Sequence, residues 1–456
     1  MKQSIYNYET ALPDDTNLFF NFYTLSLMVL DSSESEAAKR ILKNPSRLYK
    51  RKKEKEIRQL FLDHGFIIPH DIDEIELLKQ LNRQSRSDRS GVSLTIAPTL
   101  NCNFQCTYCY ENPVSTVMSR EVEDAIVRYV DDSIEKNGNL SVTWFGGEPL
   151  LCMGTIERLS SCFIDLCDKR NVSYSASIVT NGYLLNKETA GRLCSAKVND
   201  VQVTLDGPPE IHNQRRPKKG GGGTFFRILD NISTASENLG INIRMNVDDR
   251  NRDHIIDLLE ILNQKGLEQR VGFYLGWTYP YTDACSDMAG FCLASEDFTL
   301  LTLETAMEMV DRRFGSFPLP KSTNYYCMAD KENSYAITPA GALVKCWNEI
   351  SNPDAAVSHL LKPTNGKMKK NVARWNTRNP FDLECAECRL LPICMGGCPY
   401  LYQRTGQLQC HNWKYHLKES LCFYFYLKKI NKESEFINEL DKLAKLVKEQ
   451  VGEEET

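Results

Sequence analysis

The sequence predicts an α/β protein built on a parallel sheet, either doubly wound or a full or partial (β/α) barrel. A small α+β module precedes it and a cysteine-rich region follows it. Three observations carry this expectation. Six apolar, β-rich segments (VSLTIAP, LSVTWF, YSASIVT, VQVTL, IRMNV and VGFYL) alternate with helical stretches from about residue 92. The tracts that follow the first five are short, polar or rich in glycine or cysteine. The cysteines are grouped, three between 102 and 109 and seven between 327 and 410.

Composition narrows the function classes. At 456 residues the chain suits about two to four domains. Its 42% hydrophobic and 25% charged content is that of a soluble globular protein. A net charge of −5 offers no argument for nucleic acid or an anionic membrane as the main partner. The N-terminus lacks the apolar core of a signal peptide, and no apolar run approaches a membrane span. A leaderless chain points to the cytoplasm, where disulfides are rare, so the 17 cysteines are expected to include many metal ligands.

Residues 1–90 read as a separate module. YNYET and LFFNFYTLSLMVLD are strand-like, and Ser33 with Glu36 makes a candidate capping box for the helix SESEAAKRILK. A second helix over about 53–64 stops at Gly65, FIIP follows as a short strand, and IELLKQL as a helix. This mixture predicts a winged-helix-like unit. The basic run 50–55 fits a solvated helix start better than DNA binding. QSRSDRSG, 84–91, reads as a linker.

In the barrel-like region, 91–277, CNFQCTYCY follows the first strand, GGEP the second, TNG the third, DGP the fourth and DDRN the fifth. Ligands of parallel βα folds sit at the carboxyl ends of strands, so these tracts are expected on one rim. The tetraglycine 220–223 suggests a mobile loop there. Residues 278–326 form a less regular bridge, and 426–456 a charged helical tail.

The chemistry begins with Cys102, Cys106 and Cys109, spaced C-x3-C-x2-C. Three thiolates on one loop can hold three corners of an iron–sulfur cube and leave the fourth iron open. In GGEP, Gly146 and Gly147 permit close backbone approach to a ligand, Glu148 offers a carboxylate to an ammonium group, and Pro149 stiffens the turn. These motifs resemble the radical S-adenosylmethionine (SAM) superfamily, with Tyr108 as the aromatic residue before the last cysteine. The resemblance implies a partial (β/α)6 TIM-type barrel and a [4Fe–4S] cluster whose open iron chelates SAM. It implies reductive cleavage of SAM to methionine and a 5′-deoxyadenosyl radical, fed by an electron donor such as flavodoxin or ferredoxin. GGEP would bind the amino end of SAM, with Asn181, Thr204 and Arg215 in positions like the family's further contacts.

The second cysteine region reads C-x13-G-x4-C from Cys327 through Gly341 to Cys346, then C-x2-C-x5-C-x3-C from Cys385 through Cys388 and Cys394 to Cys398, and finally Cys410. One structural zinc needs only four ligands, and seven thiols exceed that. The pattern over 327–425 resembles the SPASM domain, which implies two auxiliary [4Fe–4S] clusters. Cys385, Cys388, Cys394 and Cys410 would bind one, with Cys422 as a rival to Cys410; Cys327, Cys346 and Cys398 would bind the other. That second auxiliary cluster keeps an open iron or takes a ligand such as Cys285 or Cys292. Cys152, Cys162, Cys167 and Cys194 are expected to pack in the core.

Anaerobic sulfatase-maturing enzymes resemble this chain but place an aspartate directly after the cysteine of the G-x4-C motif, where this sequence has Trp347; Glu349 is a candidate substitute base. The front module resembles the recognition element of enzymes that mature ribosomally made peptides, which binds a leader as an added strand. Together these resemblances imply a radical SAM/SPASM peptide maturase acting on a leader-bearing precursor, forming a cysteine thioether or, as the close variant, a carbon–carbon crosslink. Formylglycine formation is the alternative.

Overall fold

The computed structural model describes residues 1–12, 16–136, 138–315 and 320–430. The described residues divide into two compact units, one of 1–86, 320–326 and 378–430, the other of 87–315 and 327–377. The cysteine-rich region is thereby shared, 327–377 in one unit and 378–430 in the other. From residue 431 the expected charged tail lies outside the described residues.

The first unit opens with strand β1, Lys2–Gln3, then β2, Asn7–Ala11, β3, Asn17–Asn21, and β4, Ser26–Leu30, the last three forming an antiparallel sheet in that order. The single run expected over LFFNFYTLSLMVLD is broken into β3 and β4 by Asn21. Its side-chain oxygen accepts from the backbone N–H of Tyr23 and Thr24, 2.9 Å each, and this Asx turn lets Leu25 adopt φ +56°. Helix α1, Ser32–Lys43, is capped two residues earlier than expected. Asp31 accepts from Glu34 N–H at 2.8 Å and the Glu34 carboxylate accepts from Asp31 N–H at 3.3 Å, so the capping box is Asp31 with Glu34 and not Ser33 with Glu36. A charged carboxylate facing the helix N-terminus outcompetes a hydroxyl there.

Helix α2, Lys52–Asp63, strand β5, Ile67–Ile68, which pairs antiparallel with β1, and helix α3, Glu74–Ser87, complete the front of this unit.

The second unit contains the predicted βα alternation. Its elements are β6, Gly91–Ile96, α4, Arg120–Ser133, β7, Asn139–Trp144, α5, Met153–Arg170, and β8, Ser173–Thr180. They continue as α6, Lys187–Ser195, β9, Val198–Thr204, α7, Pro209–Arg215, α8, Phe225–Ala235, β10, Gly240–Val247, α9, Ile255–Gln264, and β11, Val271–Trp277. All six strands are parallel and stand in sequence order, β6 to β11. A doubly wound sheet reverses its strand order part-way; this one does not, so its crossovers wind one way, as in a barrel. It does not close. After α10, Ser295–Asp311, strand β12, Ser334–Ile337, adds parallel to β6, and β13, Ala342–Val344, and β14, Ser358–His359, extend the sheet antiparallel to nine strands. Thus a strand from the cysteine-rich region takes the edge that β11 would need to complete a barrel. Helix α11, Gly366–Trp375, ends the unit.

Side chains alternate along these strands. On β10, Ile241, Ile243, Met245 and Val247 are buried, so Asn242, Arg244 and Asn246 share the opposite face. The buried face is aliphatic and the other is polar, the pattern of a sheet packed by helices on one side and lining a cleft on the other.

The first unit resumes with α12, Leu391–Cys394, α13, Pro399–Thr405, and α14, Leu417–Ile430. A short 3-10 turn, Asn412–Lys414, lies between Cys410 and α14. Tyr6, Phe20 and Phe22 from the front strands share a core with Leu391, Leu421 and Tyr424. Burial of these apolar side chains ties residues near both termini of the described chain into one unit.

Candidate active site

Residues 97–110 leave β6 and carry Cys102, Cys106 and Cys109. Two neighbouring segments hold this loop by backbone bonds. From one side Gln105 N–H donates to Pro217 O at 2.8 Å, Thr107 N–H to Arg215 O at 3.0 Å, and Lys219 N–H to Asn103 O at 2.9 Å. From the other, Gly147 N–H donates to Thr99 O at 3.2 Å and Glu148 N–H to Asn101 O at 2.9 Å. The two glycines serve this contact. A Cβ on Gly146 would lie 2.3 Å from Thr99 O and one on Gly147 2.4 Å from Asn101 O, and Gly146 has φ +110°. The close approach for which they leave room is therefore to the backbone leading into the cysteines.

Glu148 is fully buried. Its carboxylate accepts from Leu150 N–H at 3.0 Å, Thr180 Oγ1 at 2.7 Å and Asn181 N–H at 2.8 Å. Burial raises its pKa and these three donors work against that rise. Asn181, just past β8, extends Nδ2 to Asn103 Oδ1 at 2.7 Å and to Cys102 Sγ at 3.9 Å. Glu148 and Asn181 together brace the cysteine loop against the ends of β7 and β8. Thr204 ends β9 and is buried.

Tyr108 points the other way. Its hydroxyl donates to Asp206 and accepts from Arg216 and, at 3.1 Å, from Asn246 Nδ2. Arg215, expected among the SAM contacts, places Nη1 2.9 Å from both oxygens of Asp248, with Nε 3.8 Å from Asp206. Its guanidinium lies 5.0 Å from the centre of the Tyr108 ring. Its buried neighbour Arg216 opposes the rise in thiol pKa at both Cys102 and Cys106, whereas Arg215 does so only at Cys106. One residue of helix rotates a side chain by about 100°, and sequence alone gave no signal to choose 216 over 215. Glu111 was also missed. It is buried, one of its oxygens has no hydrogen-bond partner among the described residues, and burial pushes it up to about 7.

Burial pushes the Cys102 and Cys109 thiols up to about 12 and raises Cys106 as well. Such thiols stay protonated until a cation displaces the protons, which is how a soft metal centre is loaded. Among the described residues no group of three or more His, Cys, Asp or Glu is drawn together around a single ion. A cube spreads its thiolates over separate iron atoms and requires no such convergence. Three soft donors on a braced loop beside an arginine therefore fit an iron–sulfur cube better than a lone zinc.

The cysteines of the first unit have their own cavity. Cys385, Cys388, Cys394 and Cys410 line a space of about 340 Å³, with Lys414 Nζ 3.2 Å from Cys410 Sγ. Burial, then the neighbouring thiols Cys394, Cys388 and Cys410, push Cys385 up to about 11. Met395, Gly396 and Gly397 all have positive φ, and a Cβ on Gly397 would lie 1.9 Å from Gln409 O. This turn brings Cys394 beside the segment that leads to Cys410. Cys422 instead belongs to the apolar core of α14. Cys398 caps α13 in this unit.

Cys327 and Cys346 lie in the other unit. Cys327 opens a 3-10 turn and Cys346 follows the β12–β13 hairpin. Cys285 and Cys292 lie by the end of β10, where Asp249 N–H donates to Phe291 O at 3.0 Å. Cys167 is buried as expected, whereas Cys162 is exposed on α5 and packs in no core. Trp347 is 40% exposed and stacks on Phe145 at 5.3 Å, next to GGEP. Glu349 is buried and paired with Arg374.

Residues 96–277 match the family model described as Radical SAM superfamily. Among curated proteins, the radical SAM cyclopropyl synthase TigE of Paramaledivibacter caminithermalis is 29% identical over 39% of this chain and 40% of its own length. The chain thus spans less than half of that relative. A cysteine-type anaerobic sulfatase-maturating enzyme of Clostridium perfringens is 25% identical over 67% of this chain and 88% of its own. The solved structure described as native anSMEcpe with bound AdoMet and Kp18Cys peptide shares the fold. Its TM-score is 0.58 at 20% identity, covering 75% of this chain and 100% of that one. Among the described residues no helix is long and apolar enough to cross a membrane.

Proposed function

We propose that this radical SAM enzyme, whose domain spans 96–277, is a maturase that abstracts hydrogen from a ribosomally made precursor peptide and forms a crosslink, with a cysteine thioether as the first candidate bond. The observation that carries the reading is the C-x3-C-x2-C loop locked by backbone bonds to GGEP at the strand ends.

Cys102, Cys106 and Cys109 would hold a [4Fe–4S] cluster. When bound, the cluster and SAM supply hydrogen-atom abstraction from an unactivated carbon. The chain's own residues do the rest. Glu148 and Asn181 fix the loop; Arg216 offsets negative charge gathered at the thiolates; Asp206, through Tyr108, holds the loop's other end. Cys385, Cys388, Cys394 and Cys410 would hold one auxiliary cluster, and Cys327, Cys346 and Cys398 another. Residues 1–90 would bind the leader of the precursor, and a flavodoxin- or ferredoxin-type donor would supply electrons in the cytoplasm.

Sulfatase-type oxidation of Cys or Ser is the second reading, favoured by the extent of similarity to the Clostridium perfringens enzyme. Against it stands Trp347, which cannot accept a proton, with Glu349 buried and ion-paired.

The test is SAM cleavage by anaerobically reconstituted, reduced protein. Wild type forms 5′-deoxyadenosine, and the Cys102→Ala, Cys106→Ala, Cys109→Ala triple variant forms none; retained formation sinks the assignment. Iron analysis of wild type should give about twelve irons per chain, three cubes of four. A value near four would remove the auxiliary clusters.

A further inference from the structure

Among the described residues, the polar face of the sheet carries a cation without a counter-charge. Arg244 sits midway along β10, beside Thr204 of β9 and Tyr274 of β11 in register. Thr143 and Ser177 on β7 and β8 lie on the same face, hydroxyl to hydroxyl at 3.1 Å. The Arg244 side chain is half-buried. Its Nε donates to Asn246 Oδ1 at 2.8 Å, and its guanidinium stands 6.0 Å from the centre of the Tyr274 ring. Space for it is made by Gly276, where a Cβ would lie 2.2 Å from that Nε.

The neighbouring arginines are occupied. Arg215 and Arg250 both pair with Asp248, and Arg216 donates to Tyr108. Among the described residues Arg244 has no carboxylate partner, and its terminal nitrogens donate to none of them. A half-buried guanidinium with its fork open is the geometry that receives a carboxylate in two parallel hydrogen bonds. Its location is also telling. Asn246, whose Oδ1 accepts from Arg244, donates from Nδ2 to the Tyr108 hydroxyl at 3.1 Å, so one side chain links the guanidinium to the cysteine loop.

Resting on the peptide-maturase reading, we propose that Arg244 anchors a carboxylate of the peptide substrate against the polar face of the barrel sheet. The carboxylate belongs to an acidic side chain or to a peptide C-terminus; the chemistry of recognition is the same. The residue is thus specificity-determining: it sets which carbon of the peptide lies next to the 102–109 loop. Asn246 and Tyr274 hold the guanidinium in place so that little side-chain freedom is lost on binding.

The probes are three pentapeptides: Ac-Gly-Gly-Glu-Gly-Gly-NH2, its glutamine counterpart, and Ac-pentaglycine with a free C-terminus. Binding to the reconstituted full chain is read by saturation-transfer NMR. Wild type should bind one acidic probe at least about tenfold more tightly than the glutamine probe, and which probe wins identifies the source of the carboxylate. Arg244→Gln should abolish the preference and Arg244→Lys should keep part of it, with both variants melting within a few degrees of wild type. Absence of any preference in wild type, or an undiminished preference in Arg244→Gln, overturns the proposal. So does a tenfold loss of SAM affinity in Arg244→Gln with the peptide preference intact, which would assign the guanidinium to the cosubstrate. Wild-type 5′-deoxyadenosine formation reports separately on the underlying reading, since the probe preference can fail while SAM cleavage persists.

Discussion

Cys102, Cys106 and Cys109 sit on a loop that leaves a central strand and is bonded backbone to backbone on both sides, to 215–219 and to 147–148. Cys385, Cys388, Cys394 and Cys410 are gathered by turns, left-handed residues and one-turn helices round an open cavity of about 340 Å³. The first group inherits its geometry from a sheet and the second makes its own. A sheet-anchored loop should keep its shape whether or not metal is present. A turn-built pocket that gathers four cysteines without a sheet beneath them should depend on the metal that joins them. The proposed radical chemistry is assigned to the loop that is shaped in advance.

The largest effects should come from the glycines that make each arrangement possible. In Gly147→Ala the new methyl meets Asn101 O; the shift of the loop should lower 5′-deoxyadenosine formation by about 100-fold or more. In Gly397→Ala a left-handed residue also meets Gln409 O; the variant should lose about four irons per chain while SAM cleavage survives. If Gly397→Ala abolished SAM cleavage and Gly147→Ala left it alone, the contrast would be reversed.

Next in size is the response to stripping the iron with a chelator under reducing conditions. Hydrogen exchange should stay slow at 91–96 and 139–144 and become fast at 385–410. Equal deprotection of both would erase the distinction.

Glu148→Gln should follow. The amide presents a donor where Asn181 N–H now donates, leaving a buried clash that costs about 1–3 kcal/mol. Thermal melting should fall and SAM cleavage with it, and the cysteines of the first unit should retain their iron.

The smallest effect is a pH dependence confined to the rim of the sheet. His212 is fully buried. Its Nδ1 accepts from Asp206 N–H, so Nε2 carries the proton and donates to Thr224 Oγ1. Burial holds its pKa well below 6.5, with Arg216 and Arg215 adding to the effect. The unfolded chain therefore binds a proton below pH 6.5 that the folded chain refuses. The stabilisation is complete above 6.5 and is lost as pH falls, at up to about 1.4 kcal/mol per pH unit for one proton. Denaturant titrations from pH 7 to pH 5 should show this slope, and His212→Asn should flatten it. A variant slope equal to wild type would place the acid sensitivity elsewhere.

Much of this was legible in the sequence, and the reasons differ by region. The six parallel strands announce themselves because each is β-rich and each precedes a helix with its own periodicity. The two cysteine groups announce themselves by spacing. What could not be read is what depends on register between distant segments. Gly146 and Gly147 looked like room for a ligand, yet their bare faces meet residues 99–101. Arg216 and Arg215 are neighbours with different partners, Tyr108 for the first and Asp248 for the second. β12 joins the barrel sheet although it comes from the cysteine-rich region. Asp31 displaced Ser33 as the cap, and Asn21 cut one strand into two, because short polar side chains find backbone partners that only the folded turn supplies. Arg244 carried no signal at all in sequence, since an arginine in a strand acquires meaning only from the glycine on the next one.

Hydrogen abstraction from a peptide followed by crosslinking is tested most directly by co-expressing the protein with short peptides encoded beside its gene and weighing the products by mass spectrometry. A product lighter by two hydrogens per crosslink, absent with the Cys102, Cys106, Cys109 triple variant, is the predicted result. Unchanged peptides, together with a formylglycine mass change on a co-expressed sulfatase, would contradict it.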